Sequence, residues 1–262
     1  MTTATAARFK MRLIRFACAL ALFAQSSTIH AARVDRSQGR GARAEKMKAG
    51  EDSKASENDL GDVVEAHRAA SDFAAGDFDN AAWRRARAVK IERYWSGEIA
   101  PQERQAEARV VWTDAALYVR FVARQGEPLI VSENPKLDAK TLGLWDRDVC
   151  ELFVAPNAAE PERYFEFEVA PTGEWLDARI HQMADRRESD FDYRSGATFA
   201  ARVDKDSVTL AMRVPWAALG VGPPRAGAEW RANLYRCVGR DPARGYLAWR
   251  PTLTPQPSFH VP

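Results

Sequence analysis

Cysteine and histidine are scarce in this chain: 262 residues contain three Cys and four His. Three cysteines cannot build a disulfide scaffold. The histidines, His30, His67, His181 and His260, stand far apart, and none has metal-ligand spacing from another. Also missing are a G-x-S-x-G elbow, an H-E-x-x-H helix, a phosphate-binding glycine loop and a dinucleotide fingerprint. Serine-hydrolase, zinc-enzyme and nucleotide-enzyme readings therefore have little support. No apolar run approaches the roughly 20 residues needed to cross a bilayer, so no membrane span is expected. Between Phe23 and Phe73 there is no aromatic residue at all, which leaves that stretch without the material of a core.

Neither sign of charge dominates, with 38 Lys and Arg against 36 Asp and Glu. The distribution is more informative than the sum. Residues 1–32 read as a signal peptide. Arg8, Lys10, Arg12 and Arg15 form a cationic start, Phe16 to Ala24 an apolar centre, and Ala31 or Ala32 the last residue before cleavage. The expected destination is the periplasm or the extracellular space. Without those four cations the remainder carries 34 positive and 36 negative residues, and the electrostatic footprint of nucleic-acid binding disappears. Residues 33–69 are polar, basic first and acidic later, and read as a disordered spacer with a frayed helix near 60–70.

All eight Trp lie between Trp83 and Trp249, so residues 70–262 must hold the packed domain. Short alternating segments recur there: 107–113 (EARVVWT), 116–123 (ALYVRFVA), 149–155 (VCELFVA), 163–170 (RYFEFEVA), 175–180 (WLDARI), 198–204, 208–215, 229–238 (EWRANLYRCV) and 245–250 (GYLAWR). Turn residues separate them, such as Thr113-Asp114-Ala115 and Pro171-Thr172-Gly173. Helical signals are few. The pattern predicts an all-β domain, an antiparallel β-sandwich of jelly-roll type.

Two constellations carry chemistry. In WDRDVCELF, Cys150, Leu152 and Val154 share one strand face and Val149, Glu151 and Phe153 the other, with Trp145 and Asp148 at the strand's mouth. An indole beside carboxylates suits a sugar, whose apolar face packs on the ring while its hydroxyls bond the acids; a core tryptophan with solvated acids is the plainer reading. In RYFEFEVAP, Tyr164, Glu166 and Glu168 lie on the face opposite Phe165, Phe167 and Val169. Two carboxylates about 7 Å apart suit glycoside hydrolysis, and equally a solvated outer face. Cys150 and Cys237 either form a disulfide or remain two buried thiols.

The ordered series GDFDNAAW, ALYVRF, WDRDVCELFVAP, YFEFEVAPTGEW, MRVPWAALG, EWRANLYRC, LAWRPT and FHVP resembles the family 9 carbohydrate-binding modules and their DOMON-like relatives over residues 70–262. The resemblance implies a non-catalytic β-sandwich that binds a saccharide between two tryptophans. Trp145 with Glu151 matches one wall and its acid. Trp249 is the expected second wall, with Asp148 and Arg236 as hydroxyl ligands; Arg236 also alternates with Trp230 and Leu234, as a buried structural arginine would. Where sugar-binding members carry a basic residue on the strand after the acid motif, this chain has Glu166 and Glu168. Some such modules hold a structural calcium, which the loop acids here permit although no spacing identifies a site; no other cofactor is expected. Two alternatives follow from other classes: a jelly-roll glycoside hydrolase using Glu166 and Glu168, and a DOMON-type haem-binding domain, which needs an axial His and Met, whereas His181 and Met183, two residues apart on a strand, point to one side.

Overall fold

The computed structural model describes residues 8–12 and 63–261. Among these residues strands dominate, and no helix is long and apolar enough to cross a membrane. The strands are β1 (Arg8–Arg12), β2 (Val63–Arg68), β3 (Ala88–Ile91), β4 (Arg93–Tyr94), β5 (Ala106–Trp112), β6 (Ala116–Arg124) and β7 (Val149–Ala155). They continue with β8 (Arg163–Val169), β9 (Trp175–Gln182), β10 (Arg187–Asp190), β11 (Thr198–Val203), β12 (Ser207–Pro215), β13 (Glu229–Val238) and β14 (Gly245–Ala248). One hydrogen-bonded path runs β10-β9-β8-β7-β13-β1-β2-β5-β6-β12-β11, with β14 beside β13, β4 beside β14 and β3 beside β5. It doubles back so that β11 and β12 lie across from β8, giving the expected β-sandwich.

The alternation in the sequence explains how the core fills. Leu152, Val154, Phe167, Val169, Trp230 and Leu234 from one half meet Val110, Val119, Phe121, Leu210, Met212 and Val214 from the other. Turns hold the register. At the β5–β6 hairpin the Thr113 N–H donates to the Ala116 carbonyl, and Thr113 Oγ1 accepts from the Ala115 and Ala116 N–H groups. At the β8–β9 hairpin Gly173 takes φ of +86°, a conformation that leaves little room for a side chain.

The N-terminal expectations fare differently. Val63–Arg68, where a frayed helix in the spacer was expected, is strand β2: Val64 and Ala66 are buried while their neighbours are only partly so, a period of two rather than 3.6. Within the expected signal segment, Arg8–Arg12 form β1, parallel to β13 and antiparallel to β2, and Met11 is buried in the core. The remainder of the expected signal peptide and spacer lies outside the described residues.

Of the two readings of the cysteines, the structure has the free thiols. Cys150 faces the inter-sheet core and Cys237 the opposite face of the same sheet, so their side chains diverge from adjacent strands. Both are buried free thiols, and burial pushes that of Cys150 up to about 12. Iodoacetamide is therefore expected to spare both in the folded protein and to label both after denaturation without reductant, read by peptide mass; a linked Cys150–Cys237 peptide would count against this.

Candidate functional site

The outer face of the β9-β8-β7-β13-β14 half carries a second cluster, which includes Phe153, Tyr164, Leu176, Ala178, Ile180, Tyr235 and Phe259. A cavity of about 310 Å³ opens there, at the small end of the range in which ligand cavities occur.

Its floor follows from strand register. Glu151 on β7 stands directly opposite Glu168 on β8 and Tyr235 on β13, and Glu166 follows two residues before Glu168 on the same face. Glu151 and Glu166 line the cavity with Cys237, whose thiol donates to Glu151 Oε1 at 3.4 Å. Glu168 lies behind them, fully enclosed. The three carboxyl groups bring one oxygen each within 4.8 Å of the others. Burial raises the pKa of all three. For Glu151, burial first and the nearby charge of Glu166 second push it up to about 8. The floor is thus a set of acids that hold protons well above the usual carboxylate range, able both to donate and to accept hydrogen bonds.

Aromatic rings make the walls. Trp145 sits in a 3₁₀ turn, Leu144–Asp146, that starts after Gly143 at φ of +75°. Leu144 is buried, and Trp145 beside it keeps 39% of its surface exposed. Phe191 backs the indole, centroids 6.1 Å apart and planes 29° from parallel. Tyr246 and Phe259 form the wall nearer β14, Tyr235 stacking on Phe259 at 4.0 Å. His260 Nδ1 shares a 2.9 Å hydrogen bond with Tyr164 Oη, and burial next to Arg187 lowers the imidazole to about 3, which keeps it neutral.

The long segment 125–148 that presents Trp145 has no strand of its own, so side chains pin it. Ser132 and Thr141 donate to Glu174 Oε1 at 2.9 and 3.2 Å, and Lys140 forms a buried ion pair with Asp177. Asp148 closes the segment: its carboxylate accepts from the N–H groups of Gly239 at 2.8 Å and Ile130 at 3.3 Å, and from Gln125 Nε2 at 3.3 Å. Arg244 joins the segment to β14, donating to the Trp145 and Arg147 carbonyls while its guanidinium lies over Tyr246.

Of the residues singled out in the sequence, Trp145, Glu151 and Glu166 meet in the cavity, with Glu168 beneath. The other three lie away from it. Trp249 packs in the inter-sheet core, because Leu247 and Trp249 alternate with Tyr246 and Ala248, and it is the latter pair that faces the cavity side. Arg236 is buried in the same sense, donating to the carbonyls of Arg104 and Gln105 and to Gln125 Oε1, so it is a structural arginine. Asp148 is fully engaged as the segment's anchor. His181 pairs across the β9–β10 hairpin with Glu188, and neither it nor Met183 lines the cavity. Sequence reasoning missed Phe191, Tyr246, Phe259 and His260; for Tyr246 the alternation of GYLAWR was a usable signal.

Residues 75–232, more than half of the chain, match the family model described as "Carbohydrate family 9 binding domain-like". A curated relative, described as an extracellular protein of Arthroderma benhamiae, is 24% identical over 145 residues, which span 51% of this chain and 64% of that protein. Among solved structures, a candidate carbohydrate-binding protein from Bacteroides uniformis superposes with a TM-score of 0.59 at 16% identity, covering 75% of this chain and 93% of that one, a likeness of fold. A family 9 carbohydrate-binding module from Caldicellulosiruptor kristjanssonii in complex with cellotriose gives 0.49 at 15% identity, over 71% of this chain and 88% of that one.

Proposed function

The chain belongs to the carbohydrate family 9 binding domain-like family, and on that premise we propose that the cavity binds a saccharide without transforming it. The observation that carries this reading is Trp145, a half-exposed indole at the mouth of an open cavity floored by carboxyl groups. A pyranose offers one apolar face and a rim of hydroxyls. The indole takes the face, and Glu151 and Glu166, which donate as well as accept when protonated, take the rim. The cavity's small volume favours the terminal unit of a glycan over an internal stretch. The second wall, in place of a tryptophan, is Tyr246 with Phe259.

The hydrolase reading is less well supported. A glycosidase sets its two carboxyl groups on either side of the scissile bond, whereas Glu166 and Glu168 stand side by side on one strand and only Glu166 reaches the cavity. Export is part of the proposal, supported by the cationic and apolar pattern at the N-terminus and by the extracellular relative.

A glycan array tests the function. The full chain is expected to retain at least one neutral oligosaccharide, to release no product from it, and to lose most of that retention in Glu151→Ala. Failure to bind any glycan on a broad panel would remove the proposal; turnover of the retained glycan would return the hydrolase.

A further inference from the structure

The geometry of the cavity floor points to a divalent-cation site: we propose that Glu151, Glu166 and Glu168 together hold a hard cation of the calcium class. One oxygen from each lies within 4.8 Å of the other two. Calcium–oxygen distances are about 2.3–2.6 Å, so two ligands of one calcium stand at most about 5 Å apart; magnesium, at about 2.0–2.1 Å, requires a tighter set. An all-carboxylate donor set is the kind that such cations take.

Glu168 supplies a second observation. It is fully buried, directed into the cluster, and among the described residues no hydrogen-bond donor from outside the three acids reaches either of its carboxyl oxygens. Buried polar groups in native folds are nearly always satisfied, and one left without a partner calls for an unseen one. Protein cations do not fill the role. Among the described residues no Lys or Arg forms an ion pair with any of the three acids: Arg187 lines the cavity on the Glu166 side without pairing with it, and Arg244 is occupied by the carbonyls of Gly239, Trp145 and Arg147.

Three protein ligands leave several positions of a calcium ion free, and Glu151 and Glu166 face the open cavity, which provides a path of entry. This extends the saccharide reading and rests on it for one step only: two adjacent hydroxyls of the bound sugar complete the coordination. The loop acids considered for a structural calcium play no part in this site.

The test uses the full chain, stripped with EDTA and dialysed. Calcium chloride is expected to give a saturable heat of one ion per chain and to raise the midpoint of thermal unfolding, with a dissociation constant of about 1 mM or tighter. Glu168→Gln, which keeps the side-chain volume, is expected to weaken calcium binding at least tenfold. Should that variant not fold, the wild-type titration decides alone. Absence of a saturable heat and of a thermal shift in the wild type overturns the proposal, as does calcium binding in folded Glu168→Gln at wild-type strength. Glycan retention, read on the same samples with and without calcium, keeps the two readings apart: calcium binding without glycan binding sinks only the saccharide reading, and glycan binding in EDTA with no calcium heat sinks only the cation.

Discussion

Trp145→Ala is expected to weaken glycan binding at least tenfold while leaving thermal stability nearly unchanged. An aromatic platform contributes roughly 0.5–1.5 kcal/mol beyond the area that it covers, and the covered area adds to this, so a loss of about 1.4 kcal/mol or more, a factor of ten, follows. Stability is spared because the indole is already partly in water and its one ring contact among the described residues is Phe191. The buried anchor of that turn is Leu144, which the substitution does not touch. Calorimetric titration with the glycan retained most strongly on the array, together with a thermal melt, reads both quantities. A variant that binds like the wild type would show that the indole is not the platform.

Trp249→Ala is expected to do the reverse. This residue is in the inter-sheet core among Leu234, Leu247 and their neighbours, and removing a buried tryptophan costs about 3–5 kcal/mol. For a domain of this size each kcal/mol moves the midpoint by about 2–4 °C, so a fall of roughly 10 °C is expected. The folded fraction should bind glycan as before, because the ring lies on the other side of the sheet from the cavity. Trp249→Phe is the milder partner, with a smaller fall and unchanged affinity. Selective loss of binding without loss of stability in either variant would restore Trp249 as a wall.

These paired outcomes depend on strand parity, which was also what the sequence made legible. The central strands could be read because short runs rich in apolar and aromatic residues stand between turns: VCELFVA and EWRANLYRCV coincide with β7 and β13. Alternation placed Glu166 and Glu168 on one face of their strand and Glu151 beside Val149 and Phe153 on its own, and the β7–β8 register brings the three together. Where parity was not followed through, the reading failed. Tyr246 and Ala248 face the cavity side, so Trp249, one residue on, has to face the core. The peripheral strands were hidden for a different reason. β10, RESD, has no apolar residue to mark a face, and β2 is too short for its two buried positions to stand out from a charged stretch. Phe259 and His260 lie in irregular chain after β14, where no period exists to read, and only the closed tertiary structure brings them against Tyr235 and Tyr164.

Along β7 and β8 consecutive residues serve different masters. Cys150, Leu152, Phe167 and Val169 belong to the interior that the two halves share, while Glu151, Glu166 and Glu168 belong to the outer cavity. If the cavity is the binding site proposed above, a substitution at one parity alters what the domain recognises, and at the other parity how firmly it holds together. Ligand preference can therefore drift in small steps without passing through unfolded intermediates. The acids that stand here where the resemblance implies a basic residue are the kind of change that such a partition permits, with the interior behind them left as it was.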